Sequence, residues 1–367
     1  MRLYHRIVQT EVGRPGWVLG HYDPLGSRPS HLDHVGSVQY PAVQRPLISV
    51  ISPSFRHRNY LASTLTTIAT QSFRNFEHIV VDGGSTDGTV EYLQGCENLR
   101  WLSEPDSGYV DAFHKGLTMA RGEWIMQCCI SDGLLVDDWF QQCLDVISRT
   151  PEVSLVWGLP RFLGQGGALG PIVYEDLFLD GRERHFRSDF LDWLTRGFVL
   201  PEGNLLVRKE VLEACFPSVQ ECTERPIDPW LEFNVRFRQT GYVTVGLPVV
   251  ANYGREHADS NTAREFQDGK WMAMRESYNR QVAHARHLHL GLGRPKTFQG
   301  PDGQEIAIAA YTARERLNGL VWAGSDFVAR RLRPVISRFG EPTRRRLRRA
   351  RRTLIRPVKS KPPDPWT

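Results

Sequence analysis

The chain has 367 residues, 41% of them hydrophobic and 24% charged, the balance of a globular protein with a sizeable core rather than of a disordered chain. No stretch approaches the roughly 18 apolar residues of a bilayer-spanning helix, and Met1-Arg2-Leu3-Tyr4-His5-Arg6 lacks the apolar run of a secretory leader, so the expectation is a cytoplasmic protein. The net charge of +5 hides an asymmetry: residues 330–361 hold twelve Arg and two Lys against Glu341, a formal +13 that leaves the remainder near −8 and confines any anionic partner to the tail.

Residues 1–45, rich in Gly, Pro and His, read as an irregular extension, with order beginning at Pro46. Leu47-Ile48-Ser49-Val50-Ile51 suits a buried parallel strand. Leu61, Leu65, Ile68 and Ala69 fall at helical spacing, and Glu77-His78-Ile79-Val80-Val81 is a second buried strand, completing a βαβ unit. Thr86-Asp87 can cap a helix through Leu93. Leu99 to Leu102 is a third strand, Asp111 to Ala120 a helix, and Trp124 to Ile130 a fourth strand ended by Ser131-Asp132-Gly133. Pro53, Asp82, Glu104 and Asp132 all stand at strand ends, where open α/β sheets bind their ligands. Further on, Leu205 to Arg208, Tyr242 to Val245 and Val249 to Tyr253 read as strands and Trp230 to Gln239 as a helix; beyond Arg264 the chain turns helical and polar. The six cysteines make no CxxC pair and are read as reduced, mostly buried thiols.

Three turns carry chemistry. In Asp82-Gly83-Gly84-Ser85-Thr86-Asp87-Gly88, glycines admit a ligand to the backbone and a carboxylate can accept from a ribose or a base edge, although the same residues make plain β-to-α turns. In the stretch from Ser103 to Gly116, Asp111 and Lys115 share a helix face, which by itself is a surface ion pair. At Ser131-Asp132, an acid ending a buried strand can hold Mg2+ or Mn2+ against a diphosphate, or simply cap a helix.

Taken together, Pro53-Ser54-Phe55, Gln71-Ser72-Phe73, Phe76 to Thr89, Ser103-Glu104-Pro105-Asp106-Ser107-Gly108 and Ser131-Asp132 resemble the family 2 inverting glycosyltransferases, nearest to the branch that builds bacterial surface polysaccharides. The resemblance covers residues 46–140 and implies a GT-A fold: a Rossmann-like mixed sheet flanked by helices, here with a helical, basic C-terminal extension. It implies donor contacts at Pro53, Phe55, Asp82, Gly83, Asp111, Lys115 and Ser131, and a Mn2+ or Mg2+ ion at Asp132. Ile130 departs from the family's metal-binding DxD element, where an acid or Asn is usual, leaving one carboxylate instead of two. Residues 200–209 are similar to a segment lining the acceptor side, and Asp228, ahead of Pro229 at a helix start, matches an acidic pair that supplies the base, with Glu232 in reserve; the other reading of Asp228 is a helix cap alone. His257 resembles the late histidine that reaches the metal or diphosphate.

The expected layout is an extension (1–45), a glycosyltransferase domain (46–263, with a donor half 46–140 and an acceptor half 141–263) and a helical, basic region (264–367). The implied reaction moves a sugar from a nucleotide-diphosphate sugar to a hydroxyl on a glycan or lipid-linked glycan; the competing reading is a nucleotide-sugar-binding protein without catalysis. The basic tail, with Val321-Trp322 and Phe327-Val328 upstream, fits the anionic inner face of the plasma membrane better than nucleic acid.

Overall fold

The computed structural model describes residues 38–164, 167–178, 181–185, 189–190, 192–194, 197–225, 227–258, 260, 268–291, 296–299 and 305–308. The basic tail and the apolar anchors ahead of it lie outside these residues.

The first half alternates strand and helix: β1 (Ile48–Ser54), α1 (Arg58–Ala69), β2 (Phe76–Asp82), α2 (Thr89–Gln94), β3 (Arg100–Ser103), α3 (Tyr109–Met119) and β4 (Trp124–Gln127). Short β5 (Gly133–Leu134) and α4 (Trp139–Arg149) lead to β6 (Val153–Leu163), β7 (Leu169–Ile172) and β8 (Arg184–His185). Then come β9 (Leu206–Arg208), α5 (Lys209–Cys215), α6 (Val219–Glu224), α7 (Pro229–Thr240), β10 (Val243–Arg255), α8 (Lys270–Gly291) and the strands β11 (Lys296–Gln299) and β12 (Glu305–Ile308). The main sheet runs β3-β2-β1-β4-β9-β6-β10-β5, with β7 beside β6 and β8 beside β10. Strands β1 to β4 are parallel, β9 is antiparallel to both β4 and β6, and β6 and β10 are parallel. This is the mixed sheet flanked by helices that the GT-A resemblance implies.

The continuous apolar runs arise because both sheet faces are covered. One face sets Ile48, Val50, Val80, Trp124 and Met126 against Leu61, Leu65 and Ile68 of α1. The other sets Ile51, Ile79, Val81 and Ile125 against Ala112, Phe113 and Leu117 of α3. Each buried Leu, Ile, Val, Met or Phe among them contributes about 1.5–3 kcal/mol by leaving water. Helix α3 lies close because Gly116 has no side chain: a Cβ there would stand 2.4 Å from Ile51 Cγ2.

Several boundaries differ from the sequence expectation. Order does not wait for Pro46: Val38 and Tyr40 are buried, and the Tyr40 hydroxyl donates to Leu65 O at 2.9 Å and lies 2.7 Å from His78 Nδ1. Helix α2 is capped by left-handed Gly88, with Asp87 receiving the Thr89 amide from one residue further back. Strand β4 stops at Gln127. The two strands expected around 242–253 are one, β10, carrying a register shift between Gly246 and Val250. The C-terminal region is not helical throughout: β11 and β12 pair antiparallel.

Candidate active site

The end of β1 lies between two of the sequence-predicted turns. Gly83 N donates to Ser54 O at 2.9 Å on one side, and Ile130 N donates to Pro53 O at 3.3 Å on the other. Register sets Ser54 against Asp82 and Asp82 against Ser103. The parallel strands therefore deliver residues from three separate motifs to one rim.

Asp82 is at that rim, but its carboxylate is fully buried and engaged within its own turn. Oδ2 receives Gly84 N at 3.1 Å, Ser85 N at 2.8 Å and Ser103 Oγ at 2.7 Å, and Oδ1 receives Ser85 Oγ at 2.5 Å. Beside it stands Asp106, which the sequence places within the motif at 103–108 without a role. Its Oδ1 accepts from Gly108 N at 2.8 Å, and its Oδ2 lies 2.8 Å from where a Cβ on Gly83 would stand. Phe55, 43% exposed, brings its ring within 3.1 Å of the same point and carries the Arg56 guanidinium over it at 4.9 Å. An exposed aromatic face beside a carboxylate and a bare glycine is a surface on which a flat, hydrogen-bonding ring can settle. Asp111 accepts from Ser107 N at 2.9 Å, while Lys115 pairs with Glu104 at 2.8 Å and reaches Asp111 at 3.7 Å. That pair steadies the β3–α3 loop.

At the second turn, Ser131 holds φ at 130°, a left-handed conformation that costs a non-glycine residue about 1–3 kcal/mol. Thr64 braces it by accepting from Ser131 N at 3.2 Å and donating to Asp132 O at 2.6 Å. Asp132 Oδ1 receives Arg255 N at 3.0 Å and Ser131 Oγ at 3.3 Å. Burial pushes the Asp132 carboxyl up to about 6, against the opposing pull of those two hydrogen bonds and of the Arg255 charge. Ile130 is 1% exposed and belongs to the apolar core. The His257 ring packs against His57 at 5.1 Å and Tyr60 at 5.0 Å, above the start of α1. Among the described residues, no group of three or more His, Cys, Asp or Glu is placed to hold a metal ion.

Asp228 caps α7, receiving Leu231 N at 2.8 Å through Oδ1, with Pro229 in the first turn. The expected base and the expected cap are thus one residue. Burial pushes its carboxyl above the usual value, while the amides of Leu231 and Trp230 and the Arg275 charge oppose the shift. Glu232, the reserve candidate, is engaged by Arg236 at 3.0 Å and Gln281 at 3.3 Å. Trp230 Nε1 donates to Tyr109 OH at 2.5 Å, joining the start of α7 to the start of α3. The Tyr109 hydroxyl is pushed well up, chiefly by burial and further by the charges of Cys129, Glu202 and Asp228, against the opposing pull of the Trp230 hydrogen bond. Tyr109 carries no sequence signal of its own, because its partner Trp230 stands 121 positions away.

Residues 49–216 match the model of the glycosyl transferase family 2. This stretch is a family 2 glycosyltransferase domain. An uncharacterised glycosyltransferase of Mycobacterium tuberculosis is 36% identical over 144 residues, 38% of this chain and 55% of the relative. The teichuronic acid biosynthesis glycosyltransferase TuaG of Bacillus subtilis is 38% identical over 87 residues, 22% of this chain and 34% of the relative. The chain thus spans about half or less of the length of these curated relatives. Among solved structures, S. aureus TarS 1-349 in complex with UDP-GlcNAc superposes with a TM-score of 0.46 at 17% identity, covering 77% of this chain and 80% of that one. No helix among the described residues is long and apolar enough to cross a membrane.

Proposed function

We propose that this glycosyltransferase moves a sugar from a nucleotide-diphosphate sugar to a hydroxyl on a glycan or lipid-linked glycan, with inversion at the anomeric carbon. The observation that supports the reading is the buried carboxylate of Asp228 at the start of α7, which the bond from Trp230 Nε1 to the Tyr109 hydroxyl ties to the start of α3. The donor's nucleoside lies on Phe55 and Gly83 beside Asp106, with its diphosphate toward the 129–132 turn. Asp228 keeps Oδ1 on the helix amide and turns Oδ2 to the acceptor. Burial raises its affinity for a proton, as suits a group that must take one from the acceptor. The acceptor oxygen attacks in line as its proton passes to Asp228, and the nucleoside diphosphate departs on the opposite side.

The Mn2+ or Mg2+ ion implied by the resemblance would rest on Asp132 and His257. One oxygen of Asp132 is already taken up, and among the described residues no group of three or more His, Cys, Asp or Glu is placed to hold a metal ion, so these residues do not make the oxygen-rich set such ions take. Acceptors of the surface-polysaccharide type agree with TuaG, whose own name places it in teichuronic acid synthesis. The basic segment 330–361 would hold the enzyme at an anionic membrane, at about 1 kcal/mol per charge near the surface.

The test is incubation of the full chain with a panel of UDP-, GDP- and dTDP-sugars, following release of the nucleoside diphosphate with and without glycan and glycolipid acceptors. Acceptor-dependent release from one donor is expected. Binding of a donor with no release under any condition would favour the non-catalytic reading instead.

A further inference from the structure

The strand-end turn is short of metal ligands and already holds a cation. Ile130, two residues before Asp132, is sealed in the core and has no donor atom to offer. The Ser131 carbonyl, the main-chain oxygen next to Asp132, accepts from Arg255 Nε at 3.0 Å. Asp132 Oδ1 accepts from the Arg255 amide at 3.0 Å. Two of the oxygens a metal ion could take at this turn, Asp132 Oδ1 and the Ser131 carbonyl, are thus already engaged by Arg255.

We propose that Arg255 is the cation that binds the donor's diphosphate and neutralises the nucleoside diphosphate as it leaves, in the place a divalent metal would occupy. This rests on the glycosyl-transfer reading above. The guanidinium is held in position: Nε is fixed on Ser131 O, and the plane stands 4.9 Å from the Tyr60 ring and 5.7 Å from the Tyr253 ring. Its two Nη groups donate to nothing, and no carboxylate forms an ion pair with it, among the described residues. A guanidinium with its fork free matches two phosphate oxygens at once. Asp132 then acts as a strap that holds the Arg255 backbone against the turn, which explains why one acid suffices where two are usual. Arg56 and Arg58, stacked over Phe55 at 4.9 Å and Tyr92 at 4.3 Å, add positive charge along the neighbouring β1–α1 turn.

In the transfer step a bond forms between the acceptor oxygen and the anomeric carbon. The bond from that carbon to the β-phosphate oxygen breaks, its electron pair stays on that oxygen beside Arg255, and the acceptor's proton goes to Asp228. A fixed guanidinium stabilises the growing phosphate charge without rearranging, as preorganised groups do in a site that excludes water.

Calorimetric titration of the full-length protein with UDP, GDP and dTDP, in buffer containing EDTA, tests this. At least one diphosphate is expected to bind without metal. Arg255→Ala should weaken it roughly 10- to 100-fold, as loss of a charge-assisted contact does, and Arg255→Lys, which keeps the charge without the fork, by less. The matching nucleoside, which lacks phosphates, should bind all three proteins equally, showing that the variants keep their fold. Binding by the wild type only after Mn2+ is added would overturn the proposal, as would Arg255→Lys and Arg255→Ala both binding the diphosphate as the wild type does in EDTA. Failure of every diphosphate to bind, with or without Mn2+, would instead bring down the glycosyl-transfer reading on which it stands.

Discussion

Asp228→Asn separates the two tasks that Asp228 carries. As a helix cap it gives one oxygen to the Leu231 amide, and asparagine caps about as well as aspartate, whereas alanine costs about 0.5–2 kcal/mol at such a position. As a base it takes the acceptor's proton, which asparagine cannot do, and general-base help is worth about 10²–10⁴-fold, or roughly 2.7–5.4 kcal/mol of activation free energy. Asp228→Asn should therefore lose two to four decades of transfer rate with its urea midpoint shifted only by the lost charge at the helix start, about 0.3–1 kcal/mol. Asp228→Ala should lose the rate and the cap together. The wild-type rate should also fall on acidification through a pKa above the ordinary aspartate value of 3.8, because burial favours the protonated, inactive form. Initial rates and urea melts on the same preparations decide it. A rate within tenfold of wild type in Asp228→Asn would refute the assignment.

Three other perturbations follow from close contacts in the structure. Gly116→Ala places a Cβ 2.4 Å from Ile51 and should cost about 1–3 kcal/mol as α3 is pushed off the sheet, seen as a lower urea midpoint at unchanged slope. Gly83→Ala drives a Cβ to 2.8 Å from Asp106 and 3.1 Å from Phe55, so titration with the donor nucleotide should show weaker binding while the melting temperature changes little. Glu77 receives Ser49, Arg100 and Arg121 through five hydrogen bonds of 2.6–3.0 Å; burial alone would raise its pKa, but these bonds together hold it below the ordinary 4.5. A depressed carboxyl stabilises the fold above the unfolded value and loses that contribution as pH falls from about 4.5 through the folded value. Glu77→Gln should thus be less stable at pH 7, by about 1–3 kcal/mol given its half-exposed arginine partners, and should lack that part of the acid-induced loss in melts between pH 7 and 3.

Much of the donor half was legible because its signals are local. Leu61, Leu65 and Ile68 report one buried helix face, Ile48 to Ile51 and Ile79 to Val81 report strands covered on both sides, and the Gly-Ser-Asp clusters mark where each strand must end. The helix start at Asp228-Pro229 was equally plain, since capping needs only a short oxygen acceptor and a residue that surrenders no amide. The roles of the rim carboxylates were harder to read. Asp82 reads as free to meet a ligand and is saturated by Ser85 and Ser103, while Asp106, named in its motif without a role, stands beside the bare Gly83.

By itself the sequence determined the order of strands and helices, the turns at their ends and the positions of the acids, because burial periodicity and turn chemistry act over a few residues. Only the tertiary structure decided who meets whom. It inserts β9 between β4 and β6, pairing Leu206 with both Met126 and Val156. It brings Arg255 to Asp132 across 123 residues and Trp230 to Tyr109 across 121. A hydrogen bond between distant segments leaves no period or spacing in the chain, since its geometry exists only once the sheet has brought its ends together.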